Sequence, residues 1–147
     1  MSRIATRPAL QTDLFTYTFP VRVYYENTDT GGVVYHGEYF KFLERARTEW
    51  LRHLGFGHQA LARDHRVALV VTSMTVDFLK PARLDDAVDV SVKLESFSKV
   101  RCVFEQQVRR EDEILVKAKV TVACVSAEGL KPVEIPEPLK RKLEASI

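Results

Sequence analysis

The sequence predicts an α+β fold in which a five-stranded antiparallel sheet curls around one long central helix. A strand-like run comes first, one amphipathic helix follows it, and four further strand-like runs complete the chain. Only this helix is long enough to cover a sheet, and its apolar side is broad enough to be buried. A length of 147 residues is typical of one domain. We therefore expect residues 1–147 to form a single domain.

The first strand and the helix follow from local patterns. Residues 1–14 show no clear period and are expected to form a loose N-terminal arm. A strand is predicted over residues 16–25, where Pro20 suggests a bend or an edge position. A helix is predicted over residues 35–54 because apolar residues recur there at helical spacing. The apolar stripe consists of Tyr39, Leu43, Ala46, Trp50 and Leu54, widened by Phe40, Phe42 and Leu51.

The later strands are predicted from alternation of apolar and polar residues. The runs cover residues 67–80, 88–95, 100–110 and 114–122, and a short terminal helix is predicted over 139–145. In the second run the apolar residues alternate with Asp89, Ser91, Lys93 and Glu95. Such alternation predicts an antiparallel strand with one buried face and one solvated face.

Composition and charge exclude several classes of function. The apolar fraction of 46% and the charged fraction of 29% are typical of a soluble globular protein. A net charge of +2 argues against nucleic acid as the main partner. No run is long enough for a membrane span, and no apolar stretch of signal-peptide type occurs near the N-terminus, so we expect a cytoplasmic location. Cys102 and Cys124 lie in apolar runs and are interpreted as buried thiols. Metal-ligand spacings are absent, and we expect no metal or other cofactor.

The segment between the first strand and the helix is the candidate site. It contains one acid, Asp29, followed by Gly31 and Gly32 and then by His36 at the start of the helix. Glycine lets the backbone approach a ligand closely. A helix N-terminus offers N–H donors without partners and a partial positive charge. This arrangement suits a polarised carbonyl group held beside a carboxylate.

The same segment carries a family resemblance. Residues 25–39 read Tyr-x-x-Thr-Asp-x-x-Gly-Val-Val-Tyr-His-x-x-Tyr. This pattern resembles the hotdog-fold acyl-CoA thioesterases of the 4-hydroxybenzoyl-CoA thioesterase family, and most closely the Tol-Pal-associated acyl-CoA thioesterases. The similarity continues through residues 42–52, 74–78 and 81–86, and it spans residues 19–138 in all.

The resemblance implies an activity, a set of site residues and an oligomer. It implies hydrolysis of acyl-CoA, with acyl carrier protein as a further carrier of the thioester. Asp29 matches the family's catalytic carboxylate, which acts as a nucleophile or as a general base. His36 is implied as a second catalytic residue, and the N–H groups near Tyr35 and His36 as donors to the substrate carbonyl. The implied substrate-binding residues are Gly32, Val33 and Tyr35. Family sites lie between subunits, which implies a homodimer or a homotetramer.

Three sequence features qualify this interpretation. Asn27 stands where many family members have an acid, so Asp29 lacks one like-charged neighbour here. Basic residues of the later strands, such as Arg109 and Arg110, are interpreted as solvated strand faces and not as site residues. The chain has no Gly-x-Ser-x-Gly nucleophile motif, no phosphate-binding loop and no dinucleotide-binding glycine motif.

Two alternative functions stay open. One is a hotdog dehydratase or hydratase, whose usual His-containing motif is not visible in this sequence. The other is a non-catalytic module that binds acyl-CoA or a protein partner, against which the intact Asp29 argues weakly. The motif does not indicate the length or aromaticity of the acyl group.

Overall fold

The protein forms one antiparallel sheet and one long helix. The computed structural model describes residues 16–147, so the predicted arm over residues 1–14 lies outside the described part. The strands are β1 (Thr16–Arg22), β2 (Val67–Phe78), β3 (Ala87–Phe97), β4 (Arg101–Arg110) and β5 (Glu113–Ser126). The helices are α1 (His36–His53) and α2 (Glu137–Glu144), with a short helical segment, His58–Ala60, and one π-helical turn, Leu61–His65, before β2.

The strand order across the sheet is β1-β3-β4-β5-β2, and every neighbouring pair is antiparallel. The helix α1 therefore connects two strands at opposite edges of the sheet. Pro20 lies in β1, which is an edge strand as the sequence predicts. The strand ends at Arg22, earlier than predicted, because Tyr25–Asn27 forms a 3-10 turn. The predicted five-stranded α+β hotdog fold is confirmed.

The helix α1 is buried along the predicted stripe. The buried residues of α1 are Tyr39, Phe42, Leu43, Ala46, Arg47, Trp50 and Leu51. Trp50 packs edge-on against Phe104 of β4, with 5.1 Å between the ring centroids. The prediction is wrong for Phe40, which is 43% exposed. Its ring lies at the edge of the sheet, 6.5 Å from the ring of Phe78 at the end of β2. No helix within residues 16–147 is long and apolar enough to cross a membrane.

The first half of β3 is buried on both faces, contrary to the half-buried prediction, whereas Glu95 is exposed as that prediction implies. Asp89 and Ser91 are each 7% exposed, beside valines that are almost fully buried. The edges of β3 are also covered, because it lies between β1 and β4. The hydroxyl of Ser91 accepts a hydrogen bond from the Gln107 N–H at 3.0 Å, which replaces the lost contact with water.

A buried polar contact joins α1 to the sheet. Arg47 Nη1 donates a hydrogen bond to Gln106 Oε1 at 2.9 Å. Gln106 Nε2 donates in turn to the carbonyl of Leu43 at 3.1 Å and to the carbonyl of Ser91 at 3.2 Å. Burial lowers the pKa of the Arg47 guanidinium from its usual value. Gln106 therefore compensates a charge that has lost most of its water.

Candidate active site

The loop from β1 to α1 carries the candidate catalytic residues. Thr28 and Val34 form an isolated antiparallel bridge, and the Asp29 N–H donates to the Val33 carbonyl at 3.0 Å. The Gly32 N–H donates back to the Asp29 carbonyl at 3.1 Å, which closes a tight turn. Gly32 has a φ of +75°, a conformation that favours glycine. The glycine is thus required by the turn that presents Asp29.

Asp29 lies at this turn with its side chain exposed. Its Oδ1 accepts a hydrogen bond from the Gly31 N–H at 2.9 Å, two residues further on. This contact is an Asx-turn, in which the side chain stabilises its own turn. The contact fixes the orientation of the carboxylate while leaving it accessible to a ligand. Both the turn-capping reading of Asp29 and the catalytic reading fit this geometry.

Asn27 is buried below the turn, and its two side-chain hydrogen bonds explain why an amide occupies this position. The side chain is 5% exposed. Its Oδ1 accepts from the Tyr24 N–H at 2.7 Å, and its Nδ2 donates to Glu38 Oε1 at 2.8 Å. Hydrogen bonds from Lys41 and from Asn27 lower the pKa of Glu38. An acid at position 27 would meet the Glu38 carboxylate and could not donate to it.

The start of α1 provides open N–H groups. Tyr35 is the N-cap residue, and its N–H donates to the Asn27 carbonyl at 3.2 Å. Within residues 16–147, the structure gives no acceptor to the N–H of His36 or to that of Gly37. A first-turn N–H has no partner inside its helix. Of the two donors implied by the sequence, Tyr35 is engaged in the loop and His36 is open.

A cavity of about 210 Å³ lies beside the start of α1. Its walls include Val33, His36, Tyr39, Phe78 and Lys80. The His36 ring stacks on Phe78, with 4.5 Å between the centroids. Among the described residues that form these walls, Val33 and His36 were predicted from the sequence to be site residues.

The other predicted site residues lie around this cavity and not in its walls. Asp29, Gly32 and Tyr35 are in the adjoining loop, among the residues described by the structure. Phe78 is a wall residue that the sequence did not indicate. The sequence gives only a weak signal for Phe78, because it is one of several apolar residues at the end of a strand. It is 41% exposed, and its ring lies beside the rings of His36 and Phe40.

A second cavity, of about 110 Å³, lies further along α1. Its walls combine apolar residues of the sheet with Glu44, Arg47, Thr48 and His58. The Thr48 hydroxyl donates to Glu44 Oε2 at 2.8 Å and lies 3.1 Å from His58 Nε2. Within residues 16–147, no group of three or more His, Cys, Asp or Glu side chains could hold a metal ion.

Both cysteine thiols are buried, as predicted from the sequence. Burial raises the pKa of Cys102 to about 12 and also raises the pKa of Cys124. A thiol with a raised pKa stays protonated and is a poor nucleophile. The structure therefore gives neither cysteine the properties of a reacting group.

Arg110 differs from its sequence interpretation as part of a solvated strand face. Its side chain is 24% exposed and contacts Asp86 and Glu113. The hydrogen bond from Arg110 Nη1 to Asp86 Oδ2 is 2.7 Å long. The prediction was wrong because the partners lie in another loop and at the start of β5, which the pattern of β4 alone does not reveal.

Comparison with known proteins decides the family. The model of the Thioesterase-like superfamily matches residues 23–143, which include the whole loop and the cavity beside α1. The chain belongs to this family. The match also covers all of α1 and the strands β2 to β5. The family predicted from the pattern around Asp29 is therefore confirmed.

Individual relatives agree with this assignment. An acyl-CoA thioesterase named YbgC from Haemophilus influenzae is 45% identical over 84% of this chain and 91% of its own. An acyl-CoA thioester hydrolase named YbgC from Escherichia coli O6:H1 is 48% identical over 87% of this chain and 94% of its own. The crystal structure of a probable thioesterase from Bartonella henselae is 35% identical, with a TM-score of 0.79. It covers 82% of this chain and 99% of that one.

Proposed function

We propose that the protein hydrolyses acyl-CoA thioesters, with Asp29 as its catalytic carboxylate. The observation that carries the proposal is the loop itself. It holds an exposed carboxylate in a fixed orientation and ends at the open N–H of His36. Acyl-CoA as the substrate is supported by relatives that match most of this chain and are named as acyl-CoA thioesterases.

The proposed reaction uses the start of α1 to polarise the thioester. The carbonyl oxygen of the substrate accepts a hydrogen bond from the His36 N–H. The partial positive charge of the helix N-terminus stabilises the negative charge that develops on this oxygen. A donor that is fixed before the reaction needs no reorganisation during it. The side chain of His36, stacked on Phe78, is proposed to orient the bound thioester.

Asp29 acts on the thioester in one of two ways, and the exposed position of its carboxylate suits both. As a nucleophile, its carboxylate displaces the thiolate and forms a mixed anhydride, which water then hydrolyses. As a general base, it removes a proton from a water molecule that attacks the carbonyl carbon. In both cases coenzyme A leaves as a thiolate. Gly32 and Tyr35 are proposed to line the approach of the substrate, and Val33 to contact it in the cavity.

The acyl group is proposed to occupy the cavity beside α1. Val33, Tyr39 and Phe78 supply apolar surface there. Lys80 also borders this cavity, and its Nζ lies 2.8 Å from Glu113 Oε2. Acyl carrier protein is proposed as a further carrier, because the reacting thioester is the same. A cytoplasmic location is also part of the proposal and agrees with two buried free thiols.

Competing functions have less support than thioester hydrolysis. The relatives that match most of this chain are named as acyl-CoA thioesterases and not as hydratases or dehydratases. In a non-catalytic binding module Asp29 would only cap its turn, and hydrolysis would not depend on its charge. An assay of a panel of acyl-CoA compounds separates all three functions.

We expect hydrolysis of soluble acyl-CoA thioesters without added metal or cofactor. The matched oxygen ester should react at least about tenfold more slowly, because an alkoxide is a much poorer leaving group than a thiolate. Free thiol can be followed with a chromogenic disulfide, and free acid by chromatography. Equal rates on the two esters would contradict the mechanism. So would a loss of activity on EDTA treatment that added zinc or magnesium restores.

We also propose that the protein is a homodimer or a homotetramer in which β2 is covered by a second subunit. The strand β2 is a long edge strand, paired with β5 alone among the strands that the structure describes. Val71 on this strand is 45% exposed and Val70 is 36% exposed. A long apolar edge strand readily pairs with another chain. In a two-fold symmetric dimer, β2 of one subunit would pair with β2 of the other, which would cover both edges.

The expected molar mass in solution is at least twice the chain mass of 16.8 kDa. Light scattering at micromolar concentration measures it directly. The variant Val71→Lys should shift the protein towards the monomer, because a charge on an edge strand opposes pairing. Ala127→Lys, an exposed change outside β2, is the matched control. A monomeric wild-type protein would disprove the oligomer, and a Val71→Lys variant that keeps the wild-type mass would disprove the role of β2.

A further inference from the structure

The segment Pro81–Asp86 lies between β2 and β3. It supports the catalytic loop, residues 23–35, which joins β1 to α1 and carries Asp29. The Val34 N–H donates to the Ala82 carbonyl at 2.9 Å. The Leu84 N–H donates to the Gly32 carbonyl at 3.1 Å. These two bonds lie on either side of Val33 and therefore fix the chain between Asp29 and α1.

The same segment also holds the beginning of the catalytic loop. The Val23 N–H donates to the Asp86 carbonyl at 2.9 Å, and the Asp85 N–H donates to the Val23 carbonyl at 3.0 Å. Both ends of the loop that carries Asp29 therefore depend on the position of Pro81–Asp86. A displacement of this segment would move the carboxylate relative to the start of α1.

One guanidinium group joins the two ends of the segment. Arg110 Nη1 donates to Asp86 Oδ2 at 2.7 Å and to the Pro81 carbonyl at 3.2 Å. Asp86 Oδ2 also accepts the Arg83 N–H at 2.8 Å, so this carboxylate closes the turn. The other edge of the guanidinium, Nε and Nη2, donates to Glu113 Oε1 on β5.

A second contact fixes the middle of the segment from the side of α1. The Ala82 N–H donates to the Tyr39 hydroxyl at 2.9 Å, and the Tyr39 side chain is buried. Tyr39 is also a wall of the cavity beside α1. The segment is thus held by α1 on one side and by Arg110 on the other.

We propose that Arg110 is a positioning residue for thioester hydrolysis, acting through Pro81–Asp86 on the loop that carries Asp29. This inference rests on the proposed function. A planar guanidinium can bind Asp86, the Pro81 carbonyl and Glu113 at the same time, whereas an ammonium group is a single point charge. A misplacement of about 1 Å in a catalytic group can cost on the order of a hundredfold in rate. Arg110 therefore affects the reaction without touching the substrate.

The variants Arg110→Met and Arg110→Lys test the proposal, with Arg141→Met as the control. Arg141 forms an exposed ion pair with Glu137 on α2, so the control also removes an arginine ion pair. We expect kcat to fall at least about tenfold in Arg110→Met, with KM within about twofold of wild type. Arg110→Lys should recover part of kcat, and Arg141→Met should keep the wild-type value.

Amide hydrogen exchange supplies a readout that does not depend on activity. In Arg110→Met, the amides of Val34 and Leu84 should exchange at least about tenfold faster, because their acceptors lie in or against the released segment. The amide of Val120 in the centre of the sheet should be unchanged, which shows that the variant is folded.

The outcomes separate this proposal from the proposed function. Wild-type exchange at Val34 and Leu84 together with wild-type kcat in Arg110→Met would overturn the positioning role. A raised KM with unchanged kcat would also overturn it, and would indicate direct contact with the substrate. If the wild-type protein hydrolysed no thioester, the proposed function would be overturned. Faster exchange in Arg110→Met would then still demonstrate that Arg110 supports the loop.

Discussion

Replacing Asp29 with Asn is expected to lower thioester hydrolysis at least about a hundredfold. The substitution removes the charge that attacks the carbonyl or accepts a proton from water. It preserves the shape of the side chain, and an amide oxygen can still accept the Gly31 N–H that Asp29 Oδ1 accepts at 2.9 Å. The Asx-turn should therefore persist in the variant. Steady-state kinetics with an acyl-CoA substrate measure the loss.

The control for this experiment is Asp112→Asn, which changes an exposed acid in the turn between β4 and β5. It should keep wild-type activity. Both variants should unfold at the wild-type temperature, because neither removes a buried contact. If folded Asp29→Asn kept more than about half of wild-type turnover, Asp29 would be a turn-capping residue and not the catalytic group proposed here.

Replacing Gln106 with Leu is expected to lower the free energy of unfolding by about 3 kcal/mol. The variant keeps the volume of the side chain but leaves the buried guanidinium of Arg47 without the acceptor that lies 2.9 Å away. A buried charge without a partner costs more than a lost neutral hydrogen bond. The unfolding temperature should fall by roughly 10 °C. Chemical and thermal denaturation followed by circular dichroism measure both changes.

The double variant Arg47→Met/Gln106→Leu separates the charge from the packing. It removes the buried charge, so it should be more stable than Gln106→Leu alone. Gln59→Leu, at an exposed position outside the core, is the control and should change stability little. A double variant less stable than Gln106→Leu would show that the burial of Arg47 is not the source of the loss.

The fold and the conformation of the loop that carries Asp29 follow from local signals. The motif around Asp29 is contiguous, and the Asx-turn, the left-handed Gly32 and the start of α1 lie within a few residues of each other. The apolar stripe of α1 likewise follows from spacing within one helix.

Contacts between distant strands could not be predicted in the same way. Gln106 reads as a polar strand residue, yet it faces the core and binds Arg47. The register of β2 against β5 shifts between Val71 and Ser73, and such a shift changes which side chains face the core. Alternation within β2 alone therefore does not place Phe78 at the candidate site, where its ring stacks on His36.

The sheet order also determines when the catalytic geometry can form during folding. The strand β1 precedes the catalytic loop and pairs with β3, far along the chain, from Thr16 opposite Lys93 to Arg22 opposite Ala87. Bringing such distant segments together is slow, because chain entropy is lost before the contact is gained. The loop that carries Asp29 closes onto Pro81–Asp86 only through the same long-range assembly. Recovery of catalysis after dilution from denaturant therefore reports completion of the native topology, and not the earlier formation of helix or hairpins.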